Sequence, residues 1–229
     1  MKHLGPLVLV LLVACGSSAV RAQPCCGPIA AQGQRLAAFL DGTGVDHLWL
    51  AGRHVDWRTG ETDRAQPGGP EAKTHCSAFV AAVADRLGVY VLRPPEHPQS
   101  LLANAQIGWL AQQGRSYGWH PVGDALSAQQ LANTGALVLA AVANPDPDRP
   151  GHIVVLRPSL KSAPELIADG PQEAQAGETN ALSTTIAAGF RHHRGAWQPG
   201  GGGAVRYYAH AVDWKRVAPA GERGGAQAR

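Results

Sequence analysis

The amino-acid sequence predicts an α+β domain in which helices pack on one side of an antiparallel sheet. Apolar residues recur at helical spacing in the first half of the chain, whereas runs rich in β-branched and aromatic residues follow in the second half. Two such runs, at residues 136–143 and 152–158, flank the turn-rich segment NPDPDRPG, whose composition is typical of a hairpin. Helices followed by strands are characteristic of the α+β class.

Four stretches have the periodicity and the end signals of helices. They are IAAQGQRLAAFLDG, KTHCSAFVAAVADRLG, SLLANAQIGWLAQQG and SAQQLANTG. We expect Gly42 to end the first helix, and Thr74 and Gly88 to cap the two ends of the second. A capping box of Ser127 and Gln130 is expected to begin the fourth.

The remaining segments predict further strands and connections. Short strands are expected at HLWLAG and at residues 164–169 and 172–176, and a stronger one at VRYYAHAVDW. We expect STTIAAGF to form a short helix. Residues 53–74 are polar and rich in Gly and Pro, which predicts a long surface loop.

The first 22 residues have the pattern of a secretory signal peptide. Their apolar run, residues 4–14, is shorter than the roughly 20 residues that span a bilayer, so no transmembrane segment is expected. Cleavage after Ala22 is one processing route; the other starts from the lipobox-like LVAC and makes Cys15 a lipid-anchored first residue. Both routes predict a secreted or periplasmic protein, with one domain at 23–218 and a flexible tail at 219–229.

The charge of the chain argues against a nucleic-acid partner. Its 229 residues carry a formal net charge of +3, with Lys and Arg scattered among Asp and Glu. Nucleic-acid binding requires a concentrated basic patch, and the sequence has no basic block. A hydrophobic content of 45% predicts an ordinary packed core.

Three cysteines follow Cys15. In an oxidising compartment cysteines normally form disulfides, but sequence neighbours such as Cys25 and Cys26 rarely pair with each other because the bridge is strained. Cys76 therefore has two interpretations, a disulfide with one of that pair or a free thiol.

Cys76 lies in the first turn of the second predicted helix, at the polar end of its apolar face. Unpaired N–H groups and the helix dipole stabilise a thiolate there and lower the cysteine pKa from its usual value of about 8.5. We therefore expect Cys76 to be an activated nucleophile rather than a packing residue.

A nucleophilic thiol requires a base, and His152 is the best candidate among the ten histidines. It begins a predicted strand, which aims its imidazole rigidly, and Gly151 before it leaves room for another group. His75 adjoins Cys76 but is expected to point elsewhere, and the pair 192–193 lies in a predicted loop.

Three motifs resemble the NlpC-type papain-fold peptidases. GGPEAKTHCSAFV resembles their Gly-rich loop and nucleophile helix, TGALVLAAV resembles their strand beginning GDLV, and GHIVVL resembles the strand that carries their histidine. The resemblance covers roughly residues 45–180 and extends to the CHAP-type amidases. His75 and Ala78 stand where the family has aspartate and glycine, as in a divergent relative. The resemblance implies a papain-like fold with the Cys76 helix packed on the sheet.

The resemblance also implies a Cys–His–polar triad, in which Cys76 attacks a carbonyl carbon and His152 transfers the protons. The family places the third residue on the strand after the histidine strand. Gln175 is our choice there, with Asn180 and Asp169 as alternatives. The backbone N–H of Cys76 would form part of an oxyanion hole.

These roles predict an extracytoplasmic cysteine peptidase or amidase, and peptidoglycan peptides are the substrate that the resemblance implies. Two alternatives stay open: a transglutaminase-like acyl transferase in which Asp169 orients His152, and an inactive binding module with Cys76 locked in a disulfide. No His, Cys or acidic spacing matches a zinc motif, so neither a metal nor another cofactor is expected.

Overall fold

The computed structural model of the protein describes residues 24–64, 74–200 and 202–218. The predicted signal peptide with Cys15, part of the predicted loop at 53–74 and the predicted tail at 219–229 lie outside these ranges. Within them, six α-helices and two antiparallel sheets form an α+β architecture, which confirms the predicted class. None of the helices in the described ranges has the length and apolar character that a membrane crossing needs.

Helices and strands alternate along the chain, whereas the sequence pattern predicts helices in the first half and strands in the second. The helices are α1 (Ala31–Asp41), α2 (Cys76–Arg86), α3 (Leu102–Gln112), α4 (Ala125–Asn133), α5 (Ala163–Asp169) and α6 (Ile186–Gly189), with a 3-10 turn at Gly114–Tyr117. The strands are β1 (His54–Val55), β2 (Thr62–Arg64), β3 (His120–Val122), β4 (Leu137–Val142), β5 (His152–Leu156), β6 (Gln172–Gln175), β7 (Ala181–Thr185) and β8 (Arg206–His210).

The larger sheet has the strand order β3-β8-β4-β5-β6-β7, and each neighbouring pair is antiparallel. The predicted hairpin is its centre: β4 pairs with β5 so that Val142 lies opposite His152. On the other side, β5 pairs with β6 through Val155 and Ala174. The hairpin and the register bring the start of β5 and the end of β6 to the same end of the sheet.

Helices cover both faces of this sheet, so the expectation of helices on one side only is wrong. Alternate residues of β4 belong to two separate cores, with Leu137, Leu139 and Ala141 in one and Val138, Ala140 and Val142 in the other. The first core contains α1, α2 and α3, and the second contains residues of α4 and α6. The cause is visible in the strand LVLAAV, which is apolar at every position and must be buried on both faces.

Helix α2 is a central buried helix rather than an amphipathic surface helix. All nine residues from Cys76 to Ala84 are buried, and the helix packs on β5 and α3. Its sequence carries no charge before Asp85, which suits a helix surrounded by other elements. The burial of this helix determines the pKa of the Cys76 thiol.

The helix caps differ from those that the sequence predicts. Asp124 caps α4, since its carboxylate accepts a hydrogen bond from the Ser127 amide at 2.8 Å, and the expected box of Ser127 and Gln130 does not form the helix start. His75 rather than Thr74 occupies the N-cap position of α2. In both cases the helix boundary lies one to three residues from the predicted one.

Two short segments adopt a different structure from the expected one. Residues 164–169 form part of α5 instead of a strand, because Ser162 and Glu165 make a capping box that starts a helix. HLWLAG forms turns, with Trp49 at a positive φ of 52°, and STTIAAGF divides into the end of β7 and α6. Local hydrogen bonding at the caps outweighs the weak strand propensity of these segments.

The cysteine pairing also corrects an expectation. Cys25 and Cys26 form a disulfide with each other although they are sequence neighbours. Cys76 is a free thiol. The structure therefore gives no support to the disulfide interpretation of Cys76.

Candidate functional site

Cys76 is the first residue of α2, and its sulfur lies against the backbone of the histidine strand. The side chain is buried, with 3% exposure, and the Ile153 amide lies close enough to the sulfur to stabilise a negative charge on it. That amide belongs to the peptide bond that joins His152 to Ile153. The start of α2 and the start of β5 are thus in direct contact.

Burial raises the pKa of the Cys76 thiol, contrary to the sequence-based expectation of a lowered value. The loss of solvation is the largest effect, and hydrogen bonds from the Ile153 and Ser77 amides and from the Thr74 side chain oppose it. A helix N-terminus stabilises a thiolate only if the surrounding groups do not remove more solvation than the helix dipole supplies. The resting side chain is therefore a protonated thiol at neutral pH.

His152 begins β5, and its imidazole is held by Gln175 at the end of β6. The imidazole Nε2 and the Gln175 Oε1 are 2.8 Å apart. Gln175 donates its own Nε2–H to the Thr179 carbonyl at 2.9 Å, which fixes the amide with its oxygen towards the imidazole. Because that oxygen only accepts, His152 Nε2 carries the proton and Nδ1 is left with a basic lone pair.

The environment of His152 favours the neutral imidazole. Burial, with 5% exposure, lowers its pKa to about 4, and the neighbouring His193 contributes in the same direction, while the Gln175 hydrogen bond opposes the shift. The His193 ring stacks on it at a centroid distance of 5.2 Å, and the edge of Phe190 approaches at 4.8 Å. A neutral thiol and a neutral imidazole therefore lie at this end of the sheet.

The thiol and the imidazole approach β5 from different faces. Cys76 and the Ile153 side chain belong to the core under α2, whereas His152 contacts Phe190, which belongs to the other core. The hydrogen bonds of the described residues include none between the Cys76 sulfur and the imidazole. The structure thus joins Cys76 to the backbone of His152, and the side chain of His152 to Gln175.

The two alternatives for the third residue have other partners. Asn180 donates to the carbonyls of Val45 and Leu48 at 2.8 and 2.7 Å, so its side chain links the loop after α1 to the connection between β6 and β7. Asp169 ends α5 and interacts with Lys161. The hydrogen bond of the imidazole therefore favours Gln175 as the orienting residue.

The comparisons with known proteins give no family for this chain. No protein-family model matches it, and no curated protein matches it. The site is therefore interpreted from its geometry.

Sequence reasoning missed the buried acid beside Gln175. Glu173 is fully buried, and within the described part of the chain neither carboxyl oxygen has a hydrogen-bond partner. Burial raises its pKa well above the usual value, and an unpaired buried carboxylate is costly, so the environment favours the protonated acid. A Cβ on Gly189 would lie 2.1 Å from Glu173 Oε1 and 2.9 Å from Gln175 Oε1, so both oxygens lie beside that glycine. The signal was the spacing of two in QEAQ, which puts Glu173 and Gln175 on one face of β6.

Gly151 is required for the position of His152, as the sequence predicts. A Cβ there would lie 2.4 Å from the Val142 carbonyl oxygen and 2.6 Å from Asn104 Oδ1. The same Asn104 oxygen accepts from the Gly151 amide at 3.0 Å, so α3 holds the hairpin close at this point. There is no space for a side chain before His152.

Gly151→Ala is expected to displace the start of β5 and to reduce any activity of the site by about 100-fold, the loss that a misplacement of about 1 Å produces. Gly123→Ala is the matched control, because a Cβ at Gly123 meets nothing within 4 Å. Thermal unfolding and a rate assay on both variants give the comparison. A Gly151→Ala protein with the unfolding temperature and rate of the Gly123→Ala protein would contradict this role.

Proposed function

We propose that the protein is a cysteine hydrolase of amide bonds, built on a papain-like fold of the NlpC type and acting outside the cytoplasm. The observation that carries the proposal is the contact of the free Cys76 thiol with the His152–Ile153 peptide bond, beside an imidazole that Gln175 holds in one tautomer. The buried central helix with the cysteine at its N-terminus, packed on the antiparallel strand of the histidine, supports the papain-like interpretation.

The chemistry follows from the protonation states. His152 Nδ1 accepts the thiol proton as the Cys76 sulfur attacks the carbonyl carbon of an amide, and the Gln175 oxygen stabilises the Nε2–H of the resulting imidazolium. The imidazolium then protonates the leaving amine, which leaves a thioester on Cys76. Water, deprotonated by the same nitrogen, releases the carboxylic acid and restores the thiol.

Substrate binding must bring the sulfur and Nδ1 together. Both groups are almost completely buried in the resting protein, and two surface cavities among the described residues, of about 290 and 440 Å3, have linings that include neither Cys76 nor His152. Catalytic hydrogen bonds are often long without substrate and tighten in the complex. Here the proposed step also requires the imidazole at the start of β5 to turn from the Phe190 side of the strand to the side that carries Cys76. The proposed substrate is a peptide, with peptidoglycan stem peptides as the first class to assay.

Alkylation tests the proposal together with the thiol's protonation state. Iodoacetamide is expected to abolish the hydrolysis of peptidoglycan peptides, while a fluorophosphonate leaves it intact. Because burial raises the pKa of Cys76, the alkylation rate is expected to be low at neutral pH and to rise steadily into the alkaline range. Mass spectrometry of the labelled chain identifies the modified residue. Rapid alkylation near pH 5, typical of a thiolate–imidazolium pair, would contradict the neutral pair, and hydrolysis that persists after complete alkylation would overturn the proposal.

The transglutaminase-like alternative, with Asp169 as the orienting residue, has less support than the hydrolase. It needs a carboxylate at the imidazole, and the hydrogen bond of His152 goes to an amide instead. A Cys76 disulfide is the feature expected of an inactive binding module. The Cys76 thiol is free, so this alternative also has less support.

A further inference from the structure

A groove on the surface of α3 is lined by aromatic rings and amide side chains. Its volume is about 440 Å3, within the range of about 300–1,000 Å3 that small-molecule sites occupy. Its lining includes Tyr90, Gly108, Trp109, Gln112, Gln113 and Tyr117, together with the apolar side chains of Leu92 and Ala105. The function proposed above does not use this groove.

The aromatic rings of the groove pack against one another and leave Tyr117 about half exposed. The Arg93 guanidinium lies over the Tyr90 ring at 4.8 Å, and Tyr117 stacks on Tyr90 at a centroid distance of 5.1 Å. Trp109 contacts both tyrosines, at 5.4 Å from Tyr90 and 5.0 Å from Tyr117. Tyr117 is nevertheless 49% exposed. Trp109 is only 7% exposed, so Tyr117 is the most exposed of the three rings. Its packing against the other two reduces the side-chain entropy that it would lose on binding a ligand.

Gly108 keeps the floor of the groove open. It lies in the interior of α3, where glycine is less favourable than alanine. A Cβ at this position would meet nothing within 4 Å, so no part of the described protein needs the missing side chain. The space that the glycine leaves is part of the groove itself. Gly108 therefore widens the groove at some cost to the stability of α3.

The charge and the hydrogen-bonding groups of the lining residues indicate which class of ligand the groove would bind. None of the described residues that line the groove is charged, and the Arg93 guanidinium on the Tyr90 ring is paired with Asp85 at 3.1 Å. The lining therefore favours an uncharged ligand. Aromatic faces pack on the C–H faces of pyranose rings, and the amides of Gln112 and Gln113 both donate and accept hydrogen bonds, as hydroxyl and acetamido groups require. We propose that this groove binds an uncharged saccharide, with a sugar ring packed on Tyr117.

Binding of three neutral oligosaccharides to the full chain tests the proposal. The probes are cellotriose, maltotriose and tri-N-acetylchitotriose, measured by calorimetry and by the quenching of tryptophan fluorescence. At least one is expected to bind, and Tyr117→Ala is expected to weaken that binding about tenfold through the loss of an aromatic contact. Gly108→Leu is expected to weaken it at least as much by filling the groove, while its unfolding temperature is unchanged or higher.

Matched variants separate binding from folding and from catalysis. Leu160→Ala removes a side chain that is 60% exposed elsewhere on the surface, and Cys76→Ala removes the candidate nucleophile; both are expected to bind as the unmodified protein does. The proposal is overturned if none of the three saccharides binds, or if Tyr117→Ala and Gly108→Leu bind as well as the unmodified protein. Binding of N-acetylated, C-amidated trialanine in this groove in place of the saccharides would also overturn it.

Discussion

Cys76→Ala is expected to lower kcat/KM for amide hydrolysis by at least about 10³-fold, and His152→Ala by a similar factor. The thiol forms the thioester, and the imidazole moves both protons, so neither step has another group to replace the missing one. Steady-state hydrolysis of a defined peptide, with circular dichroism to check the fold, gives the comparison.

The double variant shows whether the two residues act together. Cys76 and His152 meet through the Ile153 amide, and their side chains start from different faces of the sheet. If they form one catalytic unit, Cys76→Ala combined with His152→Ala is expected to be no slower than either single variant. A double variant whose loss is the product of the two single losses would mean that the residues have independent roles.

The third residue and the pH profile extend the same experiment. Gln175→Ala is expected to reduce the rate strongly because it releases the imidazole, whereas Asp169→Ala is expected to leave the rate unchanged.

The pH profile tests the protonation state of His152. A base with a pKa of about 4 is active above that value and loses its activity as the pH falls through it, so the acid limb of kcat/KM is expected near pH 4. An acid limb near 6.5, the usual histidine value, would show that His152 is not the base or is not buried in the working enzyme.

Glu173→Gln is expected to stabilise the folded protein at neutral and alkaline pH. Burial raises the pKa of Glu173 in the folded state, whereas the unfolded chain has the ordinary carboxyl value. Above that ordinary value the unfolded chain releases the proton and the folded chain retains it, so the contribution of Glu173 to stability decreases as pH rises. Each unit of pKa difference corresponds to about 1.4 kcal/mol. The neutral glutamine amide has nearly the same shape and no such pH dependence.

Thermal unfolding at two pH values measures this effect. Near pH 4 the two proteins are expected to unfold at similar temperatures, and at pH 8 the variant is expected to unfold several degrees higher, since 1 kcal/mol shifts a chain of this size by about 2–4 °C. Glu61→Gln is the control, because Glu61 is exposed. A difference between Glu173→Gln and the unmodified protein that is equal at both pH values would mean that Glu173 is not held as a neutral acid.

The local elements that carry the candidate site could be predicted from the sequence. The helix that starts at Cys76, the strand that starts at His152 and the strand that ends at Gln175 all lie close to their predicted positions. Each depends on interactions within a few residues: apolar periodicity, a glycine that allows close approach, and the turn residues of the β4–β5 hairpin. The catalytic roles of these residues stay predictions.

Burial and the faces of the sheet could not be predicted in this way. The sequence predicts a thiolate for Cys76, because the residue begins a helix. In the folded protein α2 packs on α3 and β5, and burial raises the pKa of Cys76, so the side chain is a protonated thiol. Glu173 has an unremarkable position in its strand, and its neutral state arises because α6 and Phe190 cover that face. The chain alone determined the local elements on which these residues lie, because periodicity and turns act within a few residues. Only the packed structure decided their protonation states, because the solvation of a group depends on every element that surrounds it.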